Sequence, residues 1–293
     1  MVNESQLFFT TSNFMIANNF SSYNRPAAVA GIFYPRHKKE LRNSVRNYLQ
    51  NAREEESELK IALDEISAIR MLIVPHAGYI YSGKTAAFAY QLLQQFKNQI
   101  RRVLMLGPAH RVWLTGAALP EADSFETPLG QIALDRELMK KMLEDYSWIT
   151  VNDQAHAEEH CLEVQLPFLQ ETLNDFKIVP LVVGDTDSEL LAQMILKYSE
   201  DDQTIIVIST DLSHYHDYKT SCELDLHTAK AIESLSPELL SPEDACGAYP
   251  LRGALLAAKK SAWQIHRLDL CNSGDTAGDR ARVVGYGAWM VNS

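Results

Sequence analysis

The sequence predicts an α/β fold: a single domain with a mostly parallel central sheet and helices on both faces. Three observations carry this expectation. Short apolar runs recur along the 293 residues, helical patterns lie between them, and Gly or Pro closes several of the runs. Runs that are apolar at consecutive positions, rather than alternate ones, mark strands buried on both faces. Their alternation with helices is the pattern of a parallel sheet, because a parallel crossover needs a connection long enough to bring the chain back.

Residues 1–24 are broken by Asn and Ser and predict a loose extension, with the domain spanning 25–293. Residues 37–60 set apolar side chains at helical spacing in a polar background, which predicts a surface helix followed by an acidic, solvated stretch. The strand-like runs are Ile69–Pro75, Arg102–Gly107, Lys177–Gly184, Thr204–Ser209 and Arg282–Val291. Helical patterns occupy 84–98, 135–146, 160–174, 188–199, 221–234 and 250–262. Nothing interrupts the alternation, so one domain is expected rather than two.

Composition narrows the function. Hydrophobic residues make up 46% and charged residues 22%, enough for a large core without disulfide staples. The net charge is −11 and there is no Lys/Arg run, which argues against nucleic acid, whose backbone demands concentrated positive charge. The same acidity argues against an anionic membrane surface, and no stretch nears the roughly 18 apolar residues that span a bilayer. The N-terminal segment carries Glu4 and no basic region, unlike a secretory signal. Cys161, Cys222, Cys246 and Cys271 form no C-x-x-C pair and predict reduced thiols in a cytoplasmic protein.

The polar residues just past the apolar runs are more informative. His76 comes directly after Met71–Pro75, His110 lies shortly after Val103–Gly107, and Asp211 and His214 come after Thr204–Ser209. In open α/β sheets the carboxyl ends of the strands are where ligands bind. One histidine after a strand is ordinarily structural, but three such placements predict a shared site. Cys246 stands in a turn-like stretch before a helical pattern. It reads equally as a small buried thiol or as a thiolate favoured by a helix N-terminus.

Two strings match known motifs. His156-Ala157-Glu158-Glu159-His160 fits H-x-x-E-H, which raises a zinc metalloprotease if both histidines share one helix face. Gly78–Thr85 fits the phosphate-loop pattern G-x-x-x-x-G-K-[ST] between a strand and a helix, which raises an NTPase. Its variable positions, Tyr79, Ile80, Tyr81 and Ser82, are bulky for a loop that must wrap backbone N–H groups around phosphates.

Taken together, the motifs resemble the Memo family. They are Arg25-Pro26 through Ala30-Gly31-Ile32-Phe33-Tyr34-Pro35; Pro75-His76-Ala77-Gly78-Tyr79 through Gly83; Leu106–His110; Glu159–Phe168; Ser209–Tyr215; and Cys246-Gly247. They stand in family order over about residues 25–290, and bacterial and archaeal relatives carry the label AmmeMemoRadiSam system protein B. The resemblance implies a fold similar to class III extradiol dioxygenases, which hold non-haem Fe(II) with two histidines and a carboxylate. It implies metal ligands at His76, His110 and Cys246, with Asp211 and His214 further into the cleft and His214 similar to the dioxygenases' acid–base histidine. His160, Glu163, His156 and Tyr79 are given pocket-lining or supporting roles. A thiolate in place of the carboxylate makes a softer site, suited to Fe(II) first and also to Cu or Zn.

The resemblance supports two functions from different classes. One is a metal-dependent, dioxygenase-like redox enzyme. The other is a non-catalytic protein that binds a metal, a small molecule or a peptide in the same cleft for pathway partners of the AmmeMemoRadiSam system. Fold alone does not choose between them. For the metal site itself, His76 and His110 are expected on neighbouring strand ends, with the dipole of the helix after Cys246 favouring its thiolate.

Overall fold

The structure, a computed structural model, describes residues 23–56 and 68–293. The expected loose extension lies outside the described residues as far as position 22, and so does the acidic stretch over 57–67. Strand β1 (Asn24–Arg25) pairs with Ser124 and Phe125 and begins one residue before the expected domain boundary.

Helix α1 (Lys38–Glu56) buries Leu41, Val45, Leu49 and Ala52, a set spaced to share one helical face. Strand β2 (Ile69–Val74) leads directly into α2 (Tyr79–Tyr90), and β3 (Arg102–Pro108) comes next. Then come the short strands β4 (Ala117–Leu119), β5 (Ser124–Thr127) and β6 (Gly130–Ala133). Helix α3 (Arg136–Asp145) starts where the Asp135 carboxylate accepts the Leu138 N–H at 3.1 Å. Strand β7 (Ile149–Val151) precedes the short helices α4 (Asp153–Ala157) and α5 (Leu166–Thr172). The rest is β8 (Lys177–Val183), α6 (Ser188–Ser199), β9 (Thr204–Ser209), β10 (His214–His216), α7 (Tyr218–Glu233), α8 (Ala248–Lys260), β11 (Gln264–Asn272) and β12 (Val283–Asn292).

The main sheet runs β10-β12-β2-β9-β3-β8-β4-β7, with β11 also paired to β12. Its four central strands, β2, β9, β3 and β8, are parallel. On either side the direction reverses, β12 against β2 and β4 against β8. The expected parallel sheet is thus the centre of a mixed sheet. A smaller sheet joins β1, β5 and β6.

The central strands are buried at nearly every position, which requires cover on both faces. Helix α1 packs on α2 and α5, α6 packs on α8, and α8 reaches β3 and β9. Facing pairs such as Ile73 with Ile208 and Leu104 with Ile206 form the core. Each such side chain contributes roughly 1.5–3 kcal/mol of burial. This rigid layer fixes where the strand ends, and the residues just beyond them, come to lie. No described helix is long and apolar enough to cross a membrane.

Candidate metal centre

Strands β2, β9 and β3 lie side by side and parallel, so their C-terminal ends open on one edge of the sheet. His76 comes after β2, Asp211 after β9 and His110 after β3. The expectation that His76 and His110 leave neighbouring strands is corrected: β9 stands between them, and its end supports His76. The Asp211 carboxylate accepts the His76 backbone N–H at 2.7 Å.

The tautomer of His76 is set by its partner. Ser209 Oγ donates its proton to the Cys161 carbonyl at 2.7 Å and accepts an N–H from Gln165 at 2.9 Å. His76 Nδ1, also 2.9 Å from that oxygen, must therefore be the donor, which leaves the Nε2 lone pair free. Cys246 Sγ lies 3.2 Å from that Nε2. The Cys246 turn docks on the end of β9: Gly247 donates its N–H to Thr210 Oγ1 at 2.9 Å, and a Cβ at Gly247 would come within 2.7 Å of Thr210 Cβ.

His110 is oriented in the same way by a carboxylate. Its Nδ1 is 2.9 Å from Glu159 Oε1, and its backbone N–H meets Glu159 Oε2 at 2.8 Å. Glu159 Oε1 also accepts the N–H groups of His160 and Cys161. Burial pushes the Glu159 carboxyl up, but the His110 hydrogen bond, the His110 charge and the backbone donors outweigh it and hold it down at about 2. A charged Glu159 fixes the proton on Nδ1 and turns the His110 Nε2 lone pair toward the cleft. The turn carrying Glu159 closes over β3 at Gly107, where a Cβ would lie 2.6 Å from Cys161 Sγ.

His160 completes a three-ring cluster. It stacks on His110 at 4.7 Å between centroids and meets His76 edge-on at 5.4 Å. One nitrogen from each ring lies within 4.8 Å of the others. Burial first, then the nearby His76, pull His160 down to about 4, so the ring is neutral. Its Nδ1 is buried without a hydrogen-bond partner, with Glu159 Oε1 3.3 Å away. An orphaned buried nitrogen is uncommon and calls for an explanation such as an ion. His110, Glu159 and Cys161 satisfy the same spacing. Glu159 is already saturated by four donors, however, and Cys161 Sγ meets the Pro108 carbonyl at 3.3 Å, so these two act as support.

Two further acidic and basic groups border the rings. Asp211 is buried, with Oδ2 3.9 Å from His76 Nε2; burial pushes its carboxyl up, against the pull of the His76 N–H and the nearby histidines. His214 is half-buried at the start of β10, and its charge bears on both Asp211 and His76. The expected thiolate bias of Cys246 does not prevail: burial and the neighbouring Asp211 push the thiol up despite the backbone donors around it. Ionising it requires a cation, as a bound metal provides.

Three residues are engaged elsewhere. Glu163 is fully buried but binds Arg25, Tyr34 and the N–H groups of Ala28 and Val29. Tyr79 donates its hydroxyl to the Val164 carbonyl, and His156 Nε2 meets the Ala118 carbonyl at 2.9 Å. Glu159 and Ser209, which hold the His110 and His76 rings, stand in the quoted motifs, but the sequence gives neither of them this supporting role. Only the rule that ligating imidazoles need an outer partner hints at them, and it gives no position.

Both rival motifs fail on geometry. Helix α4 ends at Ala157, before His160, and helix resumes only through the 3-10 turn Glu163–Gln165, so His156 and His160 share no helix face. The H-x-x-E-H metalloprotease arrangement is thereby corrected. The Gly78–Thr85 string forms no phosphate loop, because α2 begins at Tyr79 and Lys84 pairs with Glu55 at 2.8 Å.

The donor set fits a divalent transition metal: three converging imidazoles, two of them held by their outer nitrogens, one thiol beside them and an unpartnered nitrogen.

Relatives agree with this assignment of fold. The chain is 36% identical over 277 residues to a MEMO1 family protein of Aquifex aeolicus, which covers 89% of this chain and 97% of that protein. It is 32% identical over 273 residues to a MEMO1 family protein of Thermoplasma acidophilum, with 89% and 96% covered. The crystal structure of an uncharacterized protein from Escherichia coli K12 is similar in fold, with a TM-score of 0.53 at 12% identity over 76% of this chain and 99% of that one. A family model described as Memo-like protein matches residues 25–290. On that match and those identities, the chain belongs to the Memo family.

Proposed function

We propose that this cleft holds one divalent metal and that the protein is a metal-dependent redox enzyme of dioxygenase type acting on a small molecule. The observation that carries the reading is the convergence of three imidazoles within 4.8 Å, with the His160 nitrogen unpartnered. His76 Nε2, His110 Nε2 and Cys246 Sγ would hold the ion, with His160 as a further donor or as a contact to whatever fills an open position. Fe(II) suits a mixed imidazole and thiolate set, and Cu or Zn is the alternative occupant. Bound there, ferrous ion supplies one-electron chemistry with dioxygen.

The chain's own residues do the rest. Ser209 and Glu159 hold the two rings by their outer nitrogens. Asp211 fixes the His76 backbone and lies close to its inner nitrogen. His214, half-buried at the start of β10, would take or return a substrate proton.

The test is metal analysis after anaerobic purification, followed by oxygen-electrode assays with aromatic diols. The expected result is one transition-metal ion per chain and diol-dependent oxygen uptake that His214→Asn abolishes. A wild-type protein that takes up no Fe(II), Cu or Zn under anaerobic titration removes the metal reading. Metal binding without oxygen uptake on any diol removes the dioxygenase part.

A further inference from the structure

Glu163 and Arg25 form a fully buried ion pair at 2.7 Å that the proposed chemistry leaves unused. Their bonds lead back to the ring cluster. Glu163 accepts Arg25 Nη1, the Ala28 and Val29 N–H groups and the Tyr34 hydroxyl. Arg25, so fixed, spends its other donors on main-chain oxygens: Nε on His156 at 2.7 Å and Nη2 on Glu159 at 2.8 Å. Its guanidinium also lies over the Phe125 ring at 4.7 Å. The two carbonyls bracket the turn that carries Glu159 and His160.

We infer that the Arg25–Glu163 pair is a positioning device for one half of the metal centre, clamping the turn that aims Glu159 at His110 and places the His160 ring. The inference rests on the reading that the cluster binds a metal. The turn's own backbone contributes a 3.3 Å bond from the Glu159 N–H to the His156 carbonyl and a 3.1 Å bond from the Val164 N–H to the His160 carbonyl. The bonds of Glu159 and Cys161 tie it to the strand ends, and Arg25 is the side chain that grips two of its carbonyls at once. A displacement of the turn moves the His160 ring directly and the His110 ring through Glu159 Oε1. The same N-terminal segment braces the far side, since Phe33 packs on His160 at 4.6 Å while its carbonyl accepts the Tyr79 N–H.

The choice of residue types supports a positioning role. A buried ion pair adds little net stability over an apolar pair of similar size, because both charges lose their water. What Arg offers is a rigid planar fork that serves three acceptors in fixed directions. Lysine keeps the charge but, as a compact point charge, cannot span Glu163 and both carbonyls.

Arg25→Lys in the full chain therefore separates positioning from packing. Outer supports of metal ligands typically govern affinity by about 10–100-fold. For Arg25→Lys we expect at least about a tenfold weaker Co(II) dissociation constant and a changed visible Co(II) spectrum. In the metal-free protein, the amides of His110, His160 and Cys161, all bonded to Glu159, should exchange faster than in wild type. Arg102→Lys, at the opposite end of the sheet, should change none of these readouts. Should Arg25→Lys fail to fold, Tyr34→Phe, which removes a single donor to Glu163, must shift the same readouts in the same direction. Wild-type affinity, spectrum and amide exchange in the folded variant overturn the inference. If wild type itself takes up no Co(II), the metal reading falls separately, and amide exchange alone decides the clamp: faster exchange supports it and unchanged exchange overturns it.

Discussion

At the N-terminal ends of the central strands, Arg102 meets Asp135 at 2.8 Å and Asp201 at 2.9 Å, and nearby Arg101 pairs with Asp175 at 3.6 Å. At the C-terminal ends of the same strands, the His76, His110 and His160 rings face one another, with a nitrogen of each turned toward the others. The first end carries full charges, but they are paired, and Arg101, Asp175 and Asp201 are open to water while Asp135 is buried under Arg102. The second end buries polar atoms and leaves one of them, His160 Nδ1, with no partner. A fold gains nothing by orphaning a buried nitrogen, which costs about 1–3 kcal/mol. The contrast supports the metal reading proposed above: one end of the sheet carries paired charges, and the other carries converging ring nitrogens.

The largest effect that tests this contrast is removal of a ligand at the buried end. Cys246→Ser should weaken binding of Fe(II) or Co(II) by more than about 100-fold, beyond the range typical of outer supports, since an un-ionised hydroxyl is a poor substitute for a thiolate. Anaerobic calorimetric titration reads the change. Unaltered affinity and stoichiometry would exclude the cysteine from the ligand set and leave the three histidines as donors.

Next in size is Glu159→Gln, with an expected loss of about 10–100-fold in metal affinity. An amide side chain carries no charge to hold the proton on His110 Nδ1, so the ring loses its fixed orientation. If binding is unchanged, the outer bond at 2.9 Å does not set the His110 tautomer.

How much of this is legible in the sequence depends on the range of the interactions. Strands β2, β3 and β9 announce themselves because Leu72-Ile73-Val74, Val103-Leu104-Met105 and Ile205–Ile208 are apolar at consecutive positions. With the strands come the positions of His76, His110 and Asp211. The helix expected over 160–174 starts late because Glu159 Oε1 captures the His160 and Cys161 N–H groups, a competition that periodicity cannot reveal. Strand β11 escapes notice because it pairs on one edge only and shifts register between Arg267 and Asp269, which scrambles its alternation. Glu163 looks like a cleft residue, but its partners lie between 129 and 138 positions away, and no local pattern encodes them.

A smaller effect of opposite sign is expected at His160. Replacing it with Phe keeps a flat ring against His110 and Phe33 and removes the unpartnered nitrogen. The metal-free protein should gain about 1 kcal/mol in urea unfolding, while metal affinity falls. A stability loss instead would mean that the ring nitrogens are satisfied in solution, and the orphan argument would lose its force.

The smallest effect belongs to the other end of the strands. Arg102→Met removes both partners' cation at once; Asp201 is well exposed and the Arg102 side chain partly exposed, while Asp135 is buried but keeps the Leu138 N–H as a donor. Water and salt screen such pairs, and the measured value of an exposed pair is typically below about 1 kcal/mol. Asp135 keeps its cap bond to Leu138, so α3 should remain intact. The expected outcome is a stability loss under about 1 kcal/mol that shrinks as salt is raised, with metal affinity at the wild-type value. A larger, salt-insensitive loss would show that these charges are desolvated after all. A change in metal affinity would show that the two ends communicate through β3 and β9, and the division between a solvated end and a liganded end would have to be redrawn as a single coupled unit.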